Sequence, residues 1–144
     1  SELDKNVTLT YSRIKSFEEV RDAIANGYGI NSCGSQGFAK SRDSNGVAKR
    51  SGSWSHSMAY VGVDDSEFAH SNYGGPLVCV LNSWGTSWIK GPRAVQGKSD
   101  APEIPKGSFW ARWKDVSGRD CYAMSSVKGF PPQKLPSWDL RSLI

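Results

Sequence analysis

The sequence has no long apolar run and few cysteines, and each shortage excludes a class of protein. Without about 20 consecutive apolar residues, no membrane-spanning helix is expected. The polar first ten residues do not have the composition of a secretory signal peptide. The cysteines are odd in number and far apart (Cys33, Cys79 and Cys121), which argues against a disulfide framework and a zinc site. A reducing or cytoplasmic compartment is the simpler expectation, and no metal or cofactor is predicted.

Basic residues are in modest excess but are not organised as a nucleic-acid surface. The formal net charge is +4, and the lysines and arginines are scattered along the chain. No helix-turn-helix, zinc-finger or aromatic RNA-binding pattern accompanies them, so a nucleic-acid partner is not predicted. With 144 residues, 38% of them hydrophobic, the chain is long enough for one domain with a core. Six tryptophans in this length favour a core or a surface built from large rings.

The pattern of apolar residues predicts one helix followed by strands. Ser16 is a candidate N-cap with Glu19 three residues later, and Asn26-Gly27 supplies a stop, so a helix is predicted up to Ala25. Asn45-Gly46 is a strong turn signal. The predicted strands lie in five segments: "YGINSC", "HSMAYVGV", "LVCVL", "SFWARW" and "CYAMSSV". The segment "DDSEFAHSNYGGP" is predicted to be a surface loop, and residues 91–107 a long one.

These elements predict an α+β fold. Because the connections lack crossover helices, we expect a mainly antiparallel twisted sheet, or partial barrel, of about five strands with one N-terminal helix. Residues 1–128 would form this domain. Residues 129–144 are rich in proline and are predicted to pack as a tail on the domain or on a partner.

Two polar residues stand at the mouths of neighbouring predicted strands. His56 opens one apolar strand, and Asn82 directly follows the next, "LVCVL". Because consecutive strands usually pair, these side chains are expected to meet. An amide oxygen that accepts from one imidazole N–H fixes the tautomer and leaves the other nitrogen free to transfer a proton. Trp84 is expected to lie over the pair and exclude water. The second histidine, His70, lies in a polar segment and is interpreted as a solvated residue.

Three segments in this order resemble the second, β-rich lobe of papain-like cysteine peptidases: "SHSMAYVGVDD", "LVCVLNSWGTSW" and "GSFWARW". The resemblance covers the chain from about residue 24 to residue 116. It implies that His56 is the catalytic base, that Asn82 orients it and that Trp84 shields the pair. It also implies a peptide or protein substrate.

The family's nucleophile is a cysteine in a preceding lobe, which no part of this sequence matches. "NSCGSQGF" is similar to the approach to that cysteine, but the motif would place the nucleophile at Gln36. Cys33 also precedes His56 by only 23 residues. We therefore interpret Cys33 as a strand residue and keep it as an alternative nucleophile. Cys79 and Cys121 lie in apolar runs and are interpreted as buried structural thiols.

Three functions are compatible with these sequence features. The chain could be the β lobe of a cysteine peptidase whose nucleophile comes from a separate chain or a cleaved-off segment. It could instead be a catalytically inactive domain with a structural role in an assembly such as a virus particle, because a fold does not entail a function. In the third alternative, Cys33 and His56 form a self-contained thiol hydrolase. The first two predict a protein partner that covers the face around His56 and Trp84.

Overall fold

A computed structural model describes residues 11–94 and 103–124 of the chain. The described residues form a mainly antiparallel sheet with three short helices. In chain order the elements are β1 (Tyr11–Ile14), α1 (Phe17–Ala25), β2 (Gly29–Arg42), β3 (Ala48–Asp64), α2 (Glu67–Tyr73), β4 (Leu77–Leu81), β5 (Ser108–Arg112), α3 (Trp113–Val116) and β6 (Asp120–Met124). The predicted tail lies outside the described residues, as does part of the predicted long loop.

The six strands form one open sheet in the order β1-β6-β2-β3-β4-β5, and every neighbouring pair is antiparallel. About five strands are predicted from the sequence, and β1, which pairs with the distant β6, is not among them. Three of the four residues of β1 are exposed, so it carries almost no apolar pattern. The strand "LVCVL" is confirmed as β4, with a strand on each side of it.

The first helix follows the prediction closely. The Ser16 side chain accepts a hydrogen bond from the backbone N–H of Glu19, at 3.2 Å. The Glu19 carboxylate in turn accepts a hydrogen bond from the backbone N–H of Lys15, one residue before the N-cap that an ideal capping box would use. Phe17 and Val20 are buried, so α1 contributes one apolar face to the core.

A long hairpin, β2 and β3, spans much of the sheet. Its turn contains the predicted Asn45-Gly46 pair, and the Asp43 carboxylate accepts from the backbone N–H groups of Asn45 and Val47. Register shifts in the hairpin bend it. As a result the tip returns to β5, where the Gly46 carbonyl accepts from the backbone N–H of Trp110 at 2.9 Å.

The predicted surface loop after β3 is wrong, because this segment contains α2. Ser66 caps the helix by accepting from the N–H of Ala69, and Gly74 ends it in the left-handed conformation. Ala69 is the buried residue of this helix. One small apolar residue gives too little periodicity to reveal a helix, although both caps were present in the sequence.

Candidate active site

The pairing of β3 with β4 brings His56 and Asn82 together. Ala59 lies opposite Leu81 at the end of the ladder, so Asn82, one residue further, comes level with the residue before Ala59. His56 is two residues before that position and projects from the same face of β3, which makes it a diagonal neighbour of Asn82. The imidazole Nε2 and the amide Oδ1 are 2.8 Å apart. The structure therefore places the two side chains as predicted.

The hydrogen bond defines what the imidazole can do. An amide oxygen only accepts, so Nε2 of His56 carries the proton and donates it to Asn82. No described residue hydrogen-bonds to the other ring nitrogen, Nδ1, which is left to exchange a proton with a reacting group. Asn82 is only 5% exposed, and its Nδ2 has no hydrogen-bond partner among the described residues. The Asn82 amide therefore hydrogen-bonds to the imidazole through Oδ1, although burying its unpaired Nδ2 is unfavourable.

Trp84 covers the imidazole, and it belongs to a cluster of tryptophans. The rings of Trp84 and His56 have centroids 4.7 Å apart and planes inclined by 31°. Trp54 and Trp88 pack against Trp84, with ring centroids 4.8 and 5.5 Å from that of Trp84. Trp88 is itself fixed by donating its indole N–H to the Gly107 carbonyl at 2.7 Å. Trp84 nevertheless remains 45% exposed, so one side of the cluster faces outward.

The structure does not bring Cys33 to the histidine. Cys33 lies directly opposite Ser57 in the β2–β3 ladder, and its Sγ is 3.6 Å from the Ser57 hydroxyl. Because side chains alternate along a strand, His56 and Ser57 project from opposite faces. The thiol of Cys33 and the imidazole of His56 are therefore separated by the sheet.

The other two cysteines are buried in the sheet, as predicted. Cys79 of β4 and Cys121 of β6 are both nearly inaccessible. All three cysteines are free thiols. Burial raises the pKa of Cys79 from 9.0 to about 11, which keeps its thiol protonated and unreactive at neutral pH.

The second histidine lies away from this site. His70 is on α2, and its Nε2 is 2.8 Å from a carboxylate oxygen of Asp65. Both side chains are largely solvated. Within residues 11–94 and 103–124 no group of histidine, cysteine and carboxylate side chains has an arrangement that could hold a metal ion. None of the described helices is long and apolar enough to cross a membrane.

A shallow depression of about 330 Å³ lies next to Asn82. It is on the same side as the polar groups of Asn31 and Ser57, which are hydrogen-bonded to each other at 2.5 Å. The rest of its lining consists of three apolar residues, Met58, Ala59 and Leu81, and two polar ones, Asn82 and Ser83. Because Ser57 projects from the face of the sheet opposite to His56, this depression is not part of a cleft around the imidazole.

Sequence reasoning missed Arg119, a buried residue in the turn between α3 and β6. Its guanidinium donates to the backbone carbonyl of His56 at 2.6 Å. Gly34, which lies directly opposite His56 in the β2–β3 ladder, was not predicted from the sequence either. No motif surrounds Arg119 in "VSGRDC", and it is distant in sequence from both strands that it contacts. Only the three-dimensional pairing reveals its connection to the site.

Comparison of the sequence with protein-family models gives no match, and comparison with curated proteins gives none either. The papain-like resemblance therefore depends on the motif residues and on the arrangement of His56, Asn82 and Trp84. The family and the activity of the chain are accordingly a matter of proposal.

Proposed function

We propose that this chain is the β lobe of a papain-like cysteine peptidase or amide hydrolase and that it supplies the base and its orienting amide. The observation that carries the proposal is the 2.8 Å hydrogen bond from His56 Nε2 to Asn82 Oδ1. Trp84, stacked on the imidazole, supports it by screening that bond from water. The pair has the relationship of base and orienting group that a triad requires.

In this proposal the nucleophilic cysteine comes from a separate chain or a cleaved-off segment. Cys33 is on the opposite face from His56, and Cys79 and Cys121 are enclosed in the sheet. Nδ1 of His56 would take the proton of the incoming thiol, and the thiolate would attack a substrate carbonyl carbon. His56 would give that proton to the amine as the carbon–nitrogen bond breaks, which leaves a thioester. It would then take a proton from the water that hydrolyses the thioester and return it to the released thiolate. Asn82 would hold the ring throughout.

A second candidate is a catalytically inactive domain that binds a protein partner within an assembly. The observation that favours it is the outward-facing side of Trp84, which lies on two further tryptophans. Aromatic clusters of this kind are common at the centres of protein interfaces. In both candidates a protein covers this face, and they differ in whether that protein carries a reactive thiol.

Peptide hydrolysis by the chain in its native assembly tests the proposal. His56→Ala is expected to abolish hydrolysis, because no other described group can take its place as the base. His70→Ala is the matched control, and it should leave the rate unchanged because the His70 ring is hydrogen-bonded to Asp65 and lies away from His56. Cys33→Ala should also leave hydrolysis intact. Loss of activity in Cys33→Ala would instead support the alternative of a self-contained hydrolase in which Cys33 is the nucleophile. An assembly that hydrolyses no peptide would favour the second candidate.

A further inference from the structure

We infer that Arg119 is a positioning residue for His56: it binds the backbone of the histidine and sets the imidazole against Asn82. This inference deepens the proposed function, since it concerns the proposed base. Arg119 itself does not touch the imidazole. It acts through the main chain at the point where β3 carries His56.

The contacts of Arg119 converge on the two strands around His56. The side chain is only 5% exposed. One terminal nitrogen, Nη2, donates to the carbonyl oxygens of His56 at 2.6 Å and of Ser32 at 3.1 Å. The other, Nη1, donates to the Gln36 carbonyl at 3.1 Å, and Nε donates to the Ser32 hydroxyl at 2.9 Å. A single guanidinium thus fixes β2 and β3 relative to each other beside the proposed base.

The sequence leaves a space for this side chain. Gly34 is the cross-strand partner of His56. A Cβ atom at Gly34 would lie 2.8 Å from the Cγ of Arg119 and 2.6 Å from the side-chain oxygen of Gln36. Both distances are shorter than real Cβ contacts. A glycine opposite the histidine is therefore what allows Arg119 to pass across β2 and reach the His56 carbonyl.

The charged guanidinium of Arg119 donates mainly to main-chain carbonyl groups. Among the described residues Arg119 forms no ion pair, although other arginines of the chain do. Burying a cation without a carboxylate is costly, and carbonyl groups offset that cost only when the geometry is good. Hydrogen bonds from a charged donor are short and strong. The shortest of the four is the one to His56, so the strongest restraint falls on the residue whose placement matters most for proton transfer.

The same restraint extends to the buried strand beyond His56. The Ser32 hydroxyl accepts from Arg119 and donates to the phenol oxygen of Tyr60 at 2.8 Å. Tyr60 lies on β3 four residues after His56, and burial raises the pKa of its phenol, which therefore stays neutral. Arg119 consequently holds β3 both at His56 and, through Ser32, at Tyr60.

Nuclear magnetic resonance of the histidine rings in the full chain tests the inference. The chain has two histidines, so the solvated His70 is an internal reference. In Arg119→Met, exchange of the His56 Nε2 proton with water should be about tenfold faster, because the loss of a charge-assisted hydrogen bond loosens the pairing with Asn82. The signals of His70 should not change. Arg13→Met, which removes a surface arginine paired with Asp120, should leave both histidines as in the wild type.

Arg119→Lys keeps the inference testable if Arg119→Met fails to fold. An ammonium retains the charge but lacks the planar fork that bonds several carbonyls at once. We expect it to preserve the fold and to give an intermediate rate of proton exchange. A folded Arg119→Met or Arg119→Lys variant with wild-type exchange at His56 would overturn the inference. Equal changes at His56 and His70 would also overturn it, because they would indicate a general loosening of the fold.

These measurements do not depend on hydrolysis or on the partner that would supply the nucleophile. An assembly without peptidase activity would therefore contradict the proposed function and leave the role of Arg119 intact. Conversely, an active assembly in which Arg119→Met changes neither the His56 proton nor the rate of hydrolysis would retain the function and refute the positioning role.

Discussion

Asn82→Ala should change the histidine far more than it changes the stability of the fold. The substitution removes the acceptor of the His56 Nε2 proton, 2.8 Å away. It also removes Nδ2, a buried group without a hydrogen-bond partner among the described residues. These two effects on the free energy of unfolding have opposite signs. The loss of the hydrogen bond destabilises the folded chain, and the removal of the unpaired amide N–H relieves a cost of burial.

The magnitude follows from these two terms. A hydrogen bond of this kind contributes about 1 kcal/mol net, and an unpaired buried polar group costs about 1 to 3 kcal/mol. The relief of the unpaired N–H therefore offsets the lost hydrogen bond or exceeds it, and Asn82→Ala should leave the free energy of unfolding unchanged or raise it by about 2 kcal/mol or less. Val80→Ala is the matched control on the adjoining strand. Val80 is fully buried, and the cavity that it leaves should cost roughly 2 kcal/mol.

Urea unfolding followed by tryptophan fluorescence measures the free energy of unfolding of both variants. The nitrogen NMR spectrum of the imidazole reports the tautomer of His56. In Asn82→Ala, His56 should populate both tautomers and exchange its ring proton with water rapidly. In Val80→Ala, His56 should keep a single tautomer and slow exchange of the ring proton. The reasoning would be refuted if Asn82→Ala cost more than Val80→Ala, since the amide would then be a structural residue. It would equally be refuted if the His56 spectrum were unchanged.

Three further predictions concern the thiols and the exposed tryptophan. Stability should decrease as the pH rises from about 9 to 11, by about 2 kcal/mol or less, because the unfolded chain loses the Cys79 proton near 9.0 and the folded chain near 11. Urea titrations across this pH range measure the free energy of unfolding, and its decrease with pH should be smaller in Cys79→Ala. Some decrease should remain, because the raised pKa of Tyr60 acts in the same direction. A free energy of unfolding that increases with pH would contradict this prediction. When the folded chain is treated with a maleimide, Cys33 should react first, and Cys79 and Cys121 should react only on unfolding. Peptide mapping identifies the labelled cysteine, and early labelling of Cys79 would conflict with its burial. Trp84→Ala should lower the free energy of unfolding by about 2 kcal/mol, roughly half the cost for a fully buried tryptophan, because the ring is 45% exposed. Exchange of the His56 ring proton with water should become faster in this variant, and slower or unchanged exchange would argue against shielding by Trp84.

Local signals in the sequence were sufficient for the elements with strong caps or strong apolar patterns. Helix α1 was predicted from Ser16 and its apolar face, and β4 from a continuous run of buried residues. The proximity of His56 and Asn82 followed from one inference, that consecutive strands pair. That inference was sufficient because the connection is local and the register places both residues at the same end of the ladder.

Elements held by distant partners could not be predicted from the sequence. Strand β1 is mostly exposed and exists because β6, more than 100 residues later, pairs with it. Most of the hairpin arms beyond "YGINSC" and "HSMAYVGV" are polar, and backbone pairing rather than apolar periodicity makes them strands. Arg119 contacts residues 63 to 87 positions away. Its role depends on a missing side chain at Gly34, which no local pattern indicates.

In the proposed function, His56 and Asn82 act on a thiol that comes from a companion chain or segment. The most direct measurement is to treat the native assembly with a peptide carrying a thiol-reactive epoxide and to locate the modified cysteine by mass spectrometry. We expect the modified cysteine to belong to a companion chain or segment, and we expect modification to require His56. Modification of Cys33, or modification of the companion at the same rate in His56→Ala, would contradict the proposed function.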